Sequence, residues 1–362
     1  MKILFVITSL DVGGAEKALE DLVYATRPHH QVRVLCLKPC GAIGQRLVKA
    51  GVEVTSLEMK GAGLGTVAKL VQQIDQYQPD IVHALLFRAI EFSRLACAGR
   101  GIKLITTPHF DLSQKPFWMR QMDRLLNHID TISTAESVST YNYLTQKQHY
   151  KKVVYVGNSV KKEQFFKDNE LRKKMRQQHQ FTDQDVVFIS VARLAAVKNP
   201  TGLLESFSKI IPLCPHAKLI YVGGGSAQEN LQSLIRSLQL EKQVILAGEQ
   251  QNINDWLNMA DVFVLFSKEE SLPLSLLEAK SVGLPCIVSN VGDMPNQVEH
   301  GKDGFVCKAG DKMLLSCLMT ELYENNKLRQ EMGSYSLKKT ATIVDASQQY
   351  QHLYQQLKQE KQ

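Results

Sequence analysis

Short apolar runs alternate with longer amphipathic stretches along most of the chain, the pattern of βαβ units on parallel sheets. The runs predict strands at Lys2–Ile7, Gln31–Leu37, Glu53–Leu57, Ile81–Ala84, Lys103–Thr107, Thr131–Ser133 and Val153–Val156. Helical periodicity falls between them, as at Ala15–Ala25 and Thr66–Tyr77. A polar, helix-like stretch, Lys161–Gln180, follows, and then the alternation restarts. Val186–Val191, Lys218–Val222, Val244–Ala247, Val262–Phe266, Pro285–Ser289 and Gly304–Val306 read as strands. Helices are expected near Pro200–Ile211, Ala227–Leu238 and Leu274–Val282. The implied architecture is α/β, with two tandem doubly wound domains over residues 1–165 and 166–340. Residues 341–362 form a C-terminal helix, centred on Ala346–Lys361, either free or packed back on the first domain.

Composition narrows this. A chain of 362 residues, 44% hydrophobic and 22% charged, fits two globular domains and excludes disordered and fibrous classes. The run Ile3–Ile7 is too short for a signal peptide or a bilayer span, so a cytoplasmic location is expected. Seven scattered cysteines without a CxxC pair imply neither zinc site nor disulfide framework, and read as buried free thiols. Charge is uneven: residues 1–160 hold 19 Lys and Arg against 13 Asp and Glu, while the whole chain carries +7. A basic first half suits an anionic partner, whether phospholipid, phosphorylated substrate or nucleic acid.

In doubly wound sheets, ligands gather at the carboxyl ends of strands. Two such domains facing across a cleft would place a site between them, so each motif is weighed by whether it follows a strand. The first strand leads into Gly13-Gly14, either a bend whose N–H groups at a helix start suit an anion or a sugar, or a plain tight turn. It is not a GxGxxG, and Leu37-Lys38 stand where a nicotinamide-binding acid would end the second strand. After Val186–Val191 come Arg193 and Lys198, with Asn199 and Pro200 as N-cap and first helical residue. Two cations at this edge suit a diphosphate clamp that needs no metal, and solvated surface charges are an equally open reading. Gly223-Gly224-Gly225 follow the next strand, where a tight turn and a nucleotide contact are equally good readings.

The sharpest segment runs from Leu265 to Ala279. Glu270 lies in the loop, as a ligand group or simply a carboxylate favoured by the helix dipole, and Glu278 lies more than a turn inside the helix that Pro273 helps start. Helical side chains lean toward the N-terminus, so Glu278 can point to the same pocket. A carboxylate among Leu276, Leu277, Ala279 and Val282 needs a partner or a ligand hydroxyl. His109 follows Lys103–Thr107 and suits a hydrogen bond to a substrate oxygen, whereas His83 inside a strand reads as a core residue. Asp183-Gln184-Asp185 precedes its strand and reads as a solvated turn at the wrong edge for a metal site. Residues 114–126 mix Phe117, Trp118 and Met122 with Lys115, Arg120 and Arg124. That mixture fits a helix on a membrane surface, an ordinary packed helix or part of an acceptor pocket.

The succession MKILFVITSL-DVGGAEK, TTPHF, VGNSV, SVARLAAVKNP, YVGGGS, ADVFVLFSKEESLPLSLLEAKSVGLPCIVSNVGD and HGKDGFV resembles the retaining family 4 glycosyltransferases of the GT-B fold. The likeness runs from residue 1 to about 310, and its most specific part is the E-x7-E motif, Glu270 to Glu278. The resemblance implies two Rossmann-like domains, an acceptor side and a donor side, and a metal-independent enzyme without a cofactor. It implies that Arg193 and Lys198 hold a diphosphate and that Glu278 bonds the nucleotide ribose. Glu270 and the backbone of Ser271, Leu272 and Leu274 would meet the donor sugar, with His109, Gly13 and Gly14 facing it from the first domain. Gly224 is placed near the donor. Catalytic roles thus fall on Glu270, His109, Arg193 and Lys198. Two departures stand out: Ser271 where glycine is frequent, and Gly292-Asp293-Met294-Pro295-Asn296, where relatives carry a second glycine and a glutamate.

The expected reaction moves a hexose or N-acetylhexosamine from a nucleotide diphosphate sugar, UDP favoured over GDP, to a saccharide or lipid-linked acceptor. Glycan or cell-surface polysaccharide synthesis is the expected setting, with peripheral contact at the cytoplasmic membrane face and no nucleic-acid partner. Three other readings stay open: an epimerase or isomerase of nucleotide sugars on the same fold, a non-catalytic nucleotide-sugar-binding protein, and an NAD-dependent oxidoreductase using Glu249.

Overall fold

In a computed structural model of the chain, residues 1–59, 64–109, 115–270 and 272–359 are described. They form two compact units, Met1–Asn158 with Val344–Gln362, and Ser159–Ile343.

The first unit opens with β1 (Lys2–Ile7), α1 (Gly14–Thr26), β2 (Gln31–Cys36), α2 (Ala42–Lys49), β3 (Glu53–Ser56) and α3 (Leu64–Tyr77). It continues through β4 (Ile81–Leu85), α4 (Phe87–Cys97), β5 (Lys103–Thr107), α5 (Phe117–Leu126), β6 (Ile132–Ala135), α6 (Val138–Gln146) and β7 (Val153–Tyr155). Its strands order as β3-β2-β1-β4-β5-β6-β7, with every pair parallel. Central strands covered on both faces lose alternation, which is why β1 is apolar almost throughout. Phe5 stands between Val34 and His83 in register.

The second unit begins with α7 (Asn169–Gln178), β8 (Val186–Val191), α8 (Pro200–Ile210), β9 (Ala217–Val222), α9 (Gln228–Ser237), β10 (Val244–Gly248) and α10 (Ile253–Met259). Then come β11 (Val262–Leu265), α11 (Leu274–Ser281), β12 (Cys286–Ser289), α12 (Met294–Gln297), β13 (Gly304–Cys307), α13 (Lys312–Glu324) and α14 (Asn326–Ala341). Its sheet, also parallel, orders as β10-β9-β8-β11-β12-β13.

After the second unit the chain returns to the first as α15 (Ala346–Gln359). Tyr350, Leu353, Tyr354 and Leu357 enter the same core as Ile3, Phe5 and Leu19. Burying side chains of this size contributes about 1.5–3 kcal/mol each. The Gln351 side-chain amide donates to Thr26 Oγ1 at 2.9 Å, and Lys103 Nζ to the Leu357 carbonyl at 2.7 Å. The last two residues of the expected tail helix lie outside the described residues.

Three sequence expectations need correction. The helix expected over 161–180 is confined to α7, because Asp168 caps it by accepting from the N–H groups of Glu170 and Leu171. Asp183 is exposed, but Asp185 is buried rather than solvated, accepting from the Thr182 N–H at 2.7 Å and hydroxyl at 2.8 Å. Five cysteines are buried, whereas Cys40 is half-buried and Cys317 exposed. No helix among the described residues is long and apolar enough to cross a membrane.

Candidate active site

Each sheet reverses its strand order at one point, where a crevice opens at the carboxyl ends. In the second unit that point lies between β8 and β11. The Arg193–Lys198 loop follows β8 and the Glu270 loop follows β11, so both motifs flank the switch point. A backbone hydrogen bond ties the loops together, Lys268 N–H to the Val197 carbonyl at 2.8 Å.

Lys198 and Glu270 meet directly. Lys198 Nζ donates to Glu270 Oε1 at 2.5 Å, and the fully buried Ser267 donates to the same oxygen at 2.9 Å. The Glu270 side chain is 7% exposed and that of Lys198 22%. An ammonium carries three donors, so one bond to Glu270 leaves two for a ligand. Arg193 is exposed, and its guanidinium has no hydrogen-bond partner among the described residues. Asn199 precedes α8 as expected, but in a left-handed conformation (φ +51°) with no side-chain cap, a geometry asparagine tolerates. Pro200, the first helical residue, has no N–H of its own to satisfy and a ring that presets the helical φ.

Glu278 is half-buried on α11, whose start has no side-chain cap. Leu272 is buried and Leu274 half-buried at the helix entry, while Ser271 lies outside the described residues. The glycine loop after β9 has a packing reason for two of its residues. A Cβ on Gly223 would lie 2.1 Å from the Ala192 carbonyl oxygen, and one on Gly225 2.4 Å from that of Leu194. Gly224 instead faces the side chain of Glu249, 3.1 Å from a built Cβ. Asn296 donates to Asp293 within its own turn at 2.8 Å.

In the first unit, Gly13 caps α1 through its backbone in extended conformation, and nothing lies within 4 Å of a Cβ built on Gly14. Glu16 accepts from Ser9 Oγ at 3.0 Å beside this bend. His109, two residues past β5, is half-buried with a left-handed backbone, φ +52°. Burial pulls its pKa below the ordinary histidine value, against the opposing pull of Glu136 and Glu16. His83 is a core residue as expected, bonded through both ring nitrogens. Ser267, Glu16 and Glu136 were not singled out from sequence, since a lone serine or glutamate after a strand has no distinguishing pattern there.

The acidic DxD segment borders a different feature. Asp183 and Asp185 help line a cavity of about 940 Å³ at the amino edge of the second sheet, with Arg172, Arg176 and Arg329. Arg172 and Arg176 are spent on Asp261 and on carbonyls ending α10. Among the described residues no group of three His, Cys, Asp or Glu could hold a metal ion.

The family description "Glycosyl transferases group 1" fits residues 171–339, and "Glycosyltransferase Family 4" fits residues 12–164. Together they span most of the chain, which belongs to the family 4 glycosyltransferases of GT-B fold and is a glycosyltransferase. It is 26% identical to the N-acetyl-alpha-D-glucosaminyl L-malate synthase of Bacillus anthracis, over 75% of this chain and 72% of that protein. Over a shorter segment, 34% of this chain and 33% of the relative, it is 38% identical to an Escherichia coli UDP-Gal:alpha-D-GlcNAc-diphosphoundecaprenol alpha-1,3-galactosyltransferase. Among solved structures, HepE of Anabaena in complex with UDP matches with a TM-score of 0.88 and 22% identity, over 99% of this chain and all of that one.

Proposed function

We propose that the protein transfers a hexose or N-acetylhexosamine, with retention, from a UDP-sugar to a saccharide or lipid-linked acceptor. The observation that carries this reading is the pairing at the β8/β11 switch point. Arg193, whose guanidinium has no hydrogen-bond partner among the described residues, lies in the same loop as Lys198, an ammonium that Glu270 anchors but does not exhaust. Breaking the glycosidic bond builds positive character on the sugar and negative charge on the departing diphosphate. Arg193 and Lys198 take up that negative charge most strongly as it develops, which lowers the barrier. The UDP bound in HepE and the UDP-Gal in the galactosyltransferase's name support the choice of nucleotide.

Glu270 holds Lys198 through Oε1, and its second oxygen serves a sugar hydroxyl. Glu278 takes the ribose, and the backbone of Ser271, Leu272 and Leu274 the sugar. Gly224 lets the nucleotide approach, Gly13 and Gly14 offer N–H groups to the diphosphate, and His109 orients the sugar by donating to one of its oxygens. A neutral His109 fits this role, since burial favours the uncharged ring. Helix α5 exposes Phe117, Trp118, Met122 and Leu125 beside Arg124, a composition suited to an anionic membrane face where a lipid-linked acceptor would reside.

The test is a screen of UDP- and GDP-sugars for slow donor hydrolysis, with the anomer of the released sugar identified. Retention with a UDP-sugar supports the reading; inversion, or activity with GDP-sugars alone, overturns it. For α5, flotation with anionic vesicles should weaken in Trp118→Ser, and unchanged flotation removes the membrane role.

A further inference from the structure

Two residues before His109, Thr107 enters a buried polar network that the transfer reaction does not itself require. The Thr107 hydroxyl sits 2.8 Å from His83 Nε2, 2.5 Å from Thr134 Oγ1 and 3.2 Å from the Tyr350 hydroxyl. The Tyr350 hydroxyl also reaches Thr134 Oγ1 at 3.0 Å, and the Tyr354 hydroxyl reaches His83 Nδ1 at 2.8 Å. All five side chains are buried, and both tyrosines come from α15. A hydroxyl offers one donor and two acceptor sites, so three partners saturate Thr107 and fix its rotamer.

Thr107 is the last residue of β5; Pro108 and His109 follow. At φ +52° His109 holds a conformation that a non-glycine residue keeps only where its surroundings over-determine it. On its N-terminal side those surroundings are the fixed proline ring and the saturated threonine. We propose that Thr107 and Tyr350 are positioning residues for His109, so that the returning helix α15 sets the imidazole's orientation. This rests on the reading of His109 as the group that orients the donor sugar.

Two observations separate positioning from simple packing. Phenylalanine at 350 would fill the same core, so the hydroxyl is not needed for burial, and a buried polar group is costly unless bonded. The network is also electrically inert near neutrality. Burial holds His83 at about 3 and pushes Tyr350 to about 12, so neither changes charge there. Such a network holds its geometry without a change of charge near neutrality.

The experiment uses the full chain labelled with ¹³C-histidine, the His109 signal being the one lost in His109→Gln. In Tyr350→Phe, and in Thr107→Val, the His109 ring signal should move by more than its linewidth while exposed His216 and His300 stay in place; Thr107→Ser should restore it. An unmoved His109 signal in a folded Tyr350→Phe protein overturns the proposal, and Tyr350→Phe serves if Thr107→Val does not fold. Turnover of the UDP-sugar found by the donor screen separates the two ideas. If His109→Gln keeps full turnover, the sugar-orienting role fails, whatever the signal does. If His109→Gln is slow but Tyr350→Phe leaves both signal and kcat unchanged, only the positioning inference fails.

Discussion

Lys198 and Glu270 are 72 residues apart in sequence yet share a 2.5 Å hydrogen bond. Their residue types and their places after strands were legible, because the strand pattern locates the ligand edge. Their mutual bond was not, because it depends on which strands become neighbours. Arg193→Ala should cut kcat by about 10²-fold or more, as for loss of a charge-stabilising donor, read from UDP-sugar hydrolysis. Glu278→Ala should weaken UDP binding by about 1–3 kcal/mol, read by calorimetry. Two buried groups make stability respond to acid in opposite senses. His83, lowered from 6.5 to about 3, binds its proton later when folded than when unfolded, so stability falls as pH drops from 6.5 toward 3. Glu91, raised from 4.5 to about 7 by burial, binds its proton earlier when folded, so its contribution falls as pH rises from 4.5 to 7. Between about pH 4.5 and 6.5 the two oppose each other. The slope of urea stability against pH in that window should therefore become more positive in Glu91→Gln and more negative in His83→Gln.

Among elements, α5 shows what periodicity reveals and what it hides. Its mixed composition marked it as unusual, but its attachment is not periodic. Asp123 is the only buried side chain of the helix, bonded at 2.8 Å to Arg94 and at 2.5 Å to the Tyr150 hydroxyl. Arg94, fully buried on α4, also bonds Glu91 and Asp130. One guanidinium therefore neutralises part of a three-carboxylate cluster. Arg94→Met should destabilise the protein by about 3–5 kcal/mol in urea titration, since the carboxylates would be left buried without their cation. A variant as stable as the parent would show that the carboxylates are already neutral. The boundaries of α7 were misread for a simpler reason: lysine and glutamine continue a polar pattern on both sides of a helix that only the Asp168 cap delimits.

For the molecule as a whole, the two parallel sheets were readable because strands buried on both faces stand out as apolar runs between amphipathic helices. The return of α15 to the first unit was legible only as one of two alternatives, because a polar helix with Tyr350, Leu353, Tyr354 and Leu357 on one face states only that something covers that face. The structure supplies the cover, and with it a prediction. Truncation after Ile343 should expose apolar surface in the first unit, read as loss of hydrogen-exchange protection in β1 and β4, while β8 and β11 keep theirs. Equal loss in both units would contradict the division.

That return also orders events on the ribosome. The second unit is continuous in sequence, so it can complete its core while the first still lacks Tyr350 and Tyr354. Domains ordinarily mature N-terminal first during synthesis. Here the first-made half can fill its core only with a segment translated after its neighbour.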